Sequence, residues 1–96
     1  MLSFMTTTPW GKATALESVS VPQRAAEKRF SSQVELLETG DGERLVRFSY
    51  ATSGAVRRGP VTFRERDLAK LAALLCRAPE LGRALRTVTG DGVGNV

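Results

Sequence analysis

Val34-Glu35-Leu36-Leu37-Glu38, Leu45-Val46-Arg47-Phe48-Ser49-Tyr50 and Val61-Thr62-Phe63 alternate in the two-residue rhythm of strands, and the chain then changes period. Beyond Phe63, Leu68, Leu71, Ala72 and Leu75 recur at steps of three, one and three, the stripe of an amphipathic helix over about 65–77. Between the first two segments lies Gly40-Asp41-Gly42, whose residues tolerate the positive φ of a tight hairpin turn. Thr52-Ser53-Gly54-Ala55 and Arg57-Arg58-Gly59-Pro60 lead into the third segment. Proline donates nothing to a ladder, so Pro60 marks an edge or a bulge. Thr62 and Glu65 have the spacing of a capping box at the helix start. Pro79 then opens a short second helix with Leu81, Ala84, Leu85 and Val88 on its apolar side.

The expected fold is therefore α+β: an antiparallel β-meander of three or four strands, a C-terminal amphipathic helix and a short second helix. The optional strand is Ala13–Val21, where Ala13, Ala15, Val19 and Val21 alternate and Pro22 follows. Residues 23–29 read as a short helix or as a basic connector carrying Arg24, Lys28 and Arg29. Residues 1–11 and 89–96 lack periodicity and are expected to be disordered, leaving 12–88 as one domain. Trp10, the lone tryptophan, is expected to anchor the N-terminal arm.

The period of two forces a choice of faces on the central strand. Val46, Phe48 and Tyr50 share one side, and Leu45, Arg47 and Ser49 share the other. Val61 and Phe63 continue the first set, which makes it the expected core face, backed by the helix. Arg47 is then expected on an open face.

Composition narrows the function classes. The chain has 96 residues, 42% of them hydrophobic and 25% charged, ordinary for one globular domain. It has no histidine, which removes the commonest general base, and a single cysteine, Cys76, which rules out an intrachain disulfide. Zinc sites draw on Cys and His, and the two Gly-Asp-Gly tripeptides lack the ligand set of a calcium loop. No Gly-Lys-Ser/Thr loop is present. No catalytic residue, metal or cofactor is therefore expected, and Cys76 is expected to be a buried, inert thiol. A small core without disulfide or metal points to a second subunit as stabiliser, so a homodimer is expected. No apolar run reaches the length of a membrane span, and Met1-Leu2-Ser3-Phe4-Met5 is too short for a signal region. A cytoplasmic, membrane-free protein is expected.

Net charge is +4, with fourteen basic residues against ten acidic ones. Such a balance favours polyanion partners. Arg44, Arg47, Arg57 and Arg58, with Lys28 and Arg29 upstream, form the candidate nucleic-acid-binding set. Arginine on an open sheet face can contact phosphates and stack on bases. The same charges also read as a solvated strand face that resists aggregation. A second candidate surface is the helix stripe Leu68, Leu71, Leu74, Leu75 and Ala78, wider than one small sheet requires, which suits a dimer or an adaptor bound to a protein partner.

Val46-Arg47-Phe48-Ser49-Tyr50 followed by Arg58-Gly59-Pro60-Val61-Thr62-Phe63 and an amphipathic helix resembles the single-stranded-DNA-binding transcriptional coactivator family (positive cofactor four and its bacterial relatives). The resemblance covers 29–75. It implies a curved antiparallel sheet, dimers formed through the helix, and single strands lying across the sheet, with a role in transcription regulation. Arg47, Arg58 and Gly59 occupy positions matching the family pattern. Pro60 is an insertion into that pattern, Ser49 replaces a charged residue, and the first strand carries glutamates.

Overall fold

The computed structural model describes residues 5–52 and 57–89. The chain divides into two compact units, Met1–Glu65 and Arg66–Val96. The first unit is an antiparallel five-stranded sheet in the order β1-β2-β3-β4-β5. Its strands are β1 (Met5–Thr8), β2 (Gly11–Ala25), β3 (Lys28–Thr39), β4 (Arg44–Ala51) and β5 (Arg57–Arg64). Two helices follow, α1 (Glu65–Leu75) and α2 (Pro79–Thr89), each of 11 residues rather than one long and one short. None of the described helices is long and apolar enough to cross a membrane.

Five strands appear where three or four were expected. The additional one is β1, from a threonine-rich stretch expected to be disordered, which pairs Met5–Thr8 with Gly11–Thr14. The Thr8 hydroxyl closes the β1–β2 turn, donating to the Gly11 carbonyl at 2.8 Å and accepting the Trp10 amide at 3.0 Å. Residues 23–29, read as helix or connector, continue β2 and β3 to a two-residue turn at Ala26-Glu27. Pro22 lies within β2 instead of ending it. There β1 no longer covers the strand, so the missing N–H falls where β2 forms an edge. The β3–β4 turn is built on Gly40-Asp41-Gly42 as expected, with Gly42 at φ 90° and its amide donating to the Thr39 carbonyl at 3.0 Å.

Two bulges decide which residues face inward. On β2, Ala15 pairs with Leu37 and Glu17 with Leu36, so Leu16 is an extra residue and the alternation flips. Ala13 and Ala15 therefore point inward, and Val19 and Val21 point outward. On β5, Val61 pairs with Phe48 and Arg58 with Tyr50, leaving Gly59 and Pro60 opposite Ser49. Pro60 thus sits in a bulge on an edge strand, where its missing donor is least costly.

The sheet curls so that its first hairpin reaches its later strands. Thr6 of β1 accepts a hydrogen bond from Arg47 of β4 at 3.0 Å, and the Arg64 guanidinium of β5 lies 5.6 Å from the centre of the Trp10 ring. Inside the curl the apolar core is Ala13, Leu37 and Leu45, with Ala15 packed against them.

The second unit is a helical hairpin. The Cys76-Arg77-Ala78 turn joins its helices, and Gly82 comes so close to α1 that an added Cβ would stand 3.2 Å from the Leu75 carbonyl oxygen. Exposed ion pairs within single helices, Lys70–Asp67 at 3.6 Å and Arg83–Glu80 at 2.8 Å, flank the apolar positions. No described residue of α1 is buried.

Candidate interaction surfaces

The face expected to form the core is the outer face, and the face expected to be open is the inner one. Leu45, Arg47, Ser49 and Ala51 are buried, whereas Phe48 and Tyr50 are 43% and 41% exposed. Register explains the reversal. The Gly40-Asp41-Gly42 turn sets Leu37 against Leu45 and Glu35 against Arg47. The charged pair can follow the leucines inward because each ion supplies the other's counter-charge. Arg47 Nε and Nη2 donate to Glu35 Oε1 at 3.0 and 2.9 Å, and Nη1 donates to Thr6. Arg47 is therefore not on an open face, and it is not available to a nucleic-acid strand.

The other expected basic residues are spread over the sheet. Arg44 is exposed and lies 3.5 Å from Glu38, at the opposite end of β4 from the strand's Ala51–Ser31 pairing. Lys28 and Arg29 are exposed beyond that pairing, on the projecting β2–β3 arm. At ~3.3 Å per residue, roughly 20 Å or more of strand separates Arg44 from them. The side chains of Arg57 and Arg58, the Ser53–Ala55 loop and the 90–96 tail lie outside the described residues. Gly59 has φ 59°, and an added Cβ there would stand 3.2 Å from Tyr50 Cε1. Its role is local: it lets the bulged strand pass close over an aromatic ring.

What replaces the arginine patch is an apolar outer face. Val19 and Val21 of β2, Phe48 and Tyr50 of β4, and Val61 of β5 are exposed on it. Val34, Leu36, Val46 and Phe63 are half-buried among them. Phe48 packs edge-on against Phe63 at 6.3 Å, and Tyr50 against Phe30 at 6.2 Å. The alternation of Val46, Phe48 and Tyr50 was visible in the sequence; the outward direction was not.

On the helical hairpin, Leu74 is exposed while Leu68, Leu71, Leu75 and Ala78 are half-buried. Ala72, Leu75, Cys76 and Leu85 line a shallow groove of about 330 Å³ between α1 and α2. Cys76 is exposed, not buried, because it falls in the turn after α1. At the β3–β4 turn, hydrogen bonds hold the Asp41 carboxyl below its ordinary pKa of 3.8, the Thr39 hydroxyl contributing most and the Glu43 backbone next. Among the described residues, no three His, Cys, Asp or Glu side chains converge to hold a metal ion. Compared with family models, curated proteins and solved structures, the chain matches none.

Proposed function

We propose that this chain is a non-enzymatic interaction module that pairs with a second copy of itself through the outer face of its sheet. One observation carries the reading: the outer face exposes large apolar side chains, while an ion pair takes up part of the interior. Val19 and Val21 of β2 and Phe48, Tyr50 and Val61 of β4 and β5 lie exposed on that face, with Val34 and Ser32 of β3 between the two groups, while Glu35 and Arg47 occupy the interior. The exposed fractions of the five apolar residues correspond to on the order of 400 Å² of apolar surface, the size of the largest patch on a typical monomer, which is often functional.

A second copy is the favoured occupant because the sheet unit has so little core of its own. Leu37 and Leu45 are its only large, fully buried side chains among the described residues. Small scaffolds of this kind depend on a disulfide, a metal or a subunit contact. With one cysteine and no histidine in the chain, the subunit contact is the means left. The helix stripe gives a second reading, an adaptor surface for another protein, supported by the exposure of Leu74, Leu81 and Val88.

Sedimentation of the wild type, a Phe48→Lys/Val61→Lys variant and a Leu74→Glu variant separates these. A sheet-face dimer predicts that the wild type and Leu74→Glu sediment as dimers and the double variant as a folded monomer. Dissociation by Leu74→Glu alone assigns the contact to the helices. A monomeric wild type at all concentrations overturns self-association.

A further inference from the structure

The β2–β3 arm carries a feature that self-association through the outer face leaves unused. Arg24 and Arg29 stand directly opposite each other in the ladder, on the inner side of the arm. Both are exposed, and neither forms an ion pair among the described residues. Like charges at directly opposed strand positions repel, so the pair is poised for something negative between them. The two arginines border an open groove of about 500 Å³, which Pro22, Ser31, Ala51 and Thr52 also line. One pleat further along the same face of β4, the buried Ser49 hydroxyl has no hydrogen-bond partner. A buried polar group without a partner calls for an explanation, although Ser49 itself does not line the groove.

We propose that this groove is a phosphate site. Arg24 and Arg29 each carry a planar fork of N–H donors suited to an oxyanion, and Ser31 and Thr52, two hydroxyl residues, are among those lining the groove. Such a donor set exceeds what the two oxygens of a carboxylate can accept, and it suits the oxygens of a phosphate. Glu27 lies at the arm's turn, two residues from Arg29, and Lys28 next to it offsets its charge. The shared chemistry is a phosphate group, carried either by a free nucleotide or inorganic phosphate, or by a single-stranded nucleic acid. The site differs from the one the arginine pattern suggested, since it needs neither Arg47 nor the outer face.

The test uses the full-length chain at low salt. Inorganic phosphate and adenosine monophosphate are titrated while the Arg Nε–H resonances are followed by NMR. A fluorescently labelled oligothymidylate is titrated in parallel by anisotropy, with polyglutamate as a non-phosphate polyanion. The variants are Arg24→Gln/Arg29→Gln and, as a charge control, Arg44→Gln. The expected result is binding in the millimolar range or tighter, weakened at least tenfold in the double variant and less than twofold in Arg44→Gln. If the oligonucleotide binds far more tightly than the free phosphates, the source is a strand, and the log–log salt slope falls by up to ~1.4 in the double variant, at ~0.7 per contact. Equal competition by inorganic phosphate identifies the free source instead. The proposal is overturned by no binding of any phosphate, by equal loss in Arg44→Gln, or by polyglutamate binding as well as the oligonucleotide. Both arginines are exposed and mutually repelling, so the double variant should melt no lower than the wild type, and its thermal transition is recorded alongside.

Discussion

Replacing Arg47 with methionine tests the inverted sheet at its centre. The side chains of Arg47 and Glu35 are 7% and 3% exposed, and two N–H groups of Arg47 bind the same Glu35 oxygen. A third binds Thr6, so the arginine also ties β1 to β4. Removing it breaks a buried, hydrogen-bonded ion pair from one side, a loss of about 3–5 kcal/mol. A chain of 96 residues has a total stability of roughly 5–14 kcal/mol, so the single change removes from about a fifth to nearly all of it. The companion variant, Glu35→Leu/Arg47→Met, removes both charges and fills the space with apolar side chains. It should lie within about 1 kcal/mol of the wild type, because desolvating the pair costs much of what the pair returns. Urea denaturation followed by far-UV circular dichroism measures both. With a slope of ~2 kcal/mol per molar urea, the single variant moves the midpoint by about 2 M. An Arg47→Met protein within ~0.5 kcal/mol of the wild type, the range of ordinary surface changes, would refute the reasoning.

Two further outcomes follow from the turns. Gly59→Ala forces a Cβ into a left-handed backbone at φ 59° and against the Tyr50 ring; a loss of ~1–2 kcal/mol is expected by urea denaturation, and no loss would contradict the bulge geometry. Asp41 has a folded pKa below its unfolded one, so its contribution is present above the ordinary carboxylate value and disappears as pH falls through the folded value. Asp41→Asn should therefore make the loss of stability on acidification shallower in a pH series of thermal melts, and an unchanged acid limb would contradict it.

Much of the architecture was legible in local chemistry. Gly40-Asp41-Gly42 announced its turn, Pro60 its bulged edge, and the change of period after Phe63 the passage from strands to helices. The orientation of the sheet was not legible, because a period of two identifies two faces without saying which is inside. The more apolar face reads as the core, whereas the register that pairs Glu35 with Arg47 points the other way. Counting back equally from the Gly40-Asp41-Gly42 turn brings those opposite charges together beside Leu37 and Leu45. The bulge at Leu16 hid a second reversal, since one extra residue moves Val19 and Val21 to the side opposite Ala13. At the arm, Ala25, Ala26 and Glu27 favour a helix by propensity, and Ala26 turns the hairpin at φ 56° without the glycine or asparagine that would have marked it. Arg24 was counted as part of a charge cluster, and only the hairpin register places it across from Arg29.

Phe48 faces out and Ser49 faces in, and under the proposed self-association a second copy covers Phe48. Single cysteines at these two positions, Phe48→Cys and Ser49→Cys, each in a Cys76→Ser background, read it directly through their alkylation rates over a dilution series. Slow alkylation is expected at position 49 throughout, with fast alkylation at position 48 in dilute protein that slows as concentration rises. Fast alkylation at position 49 together with protection of position 48 at every dilution would contradict it.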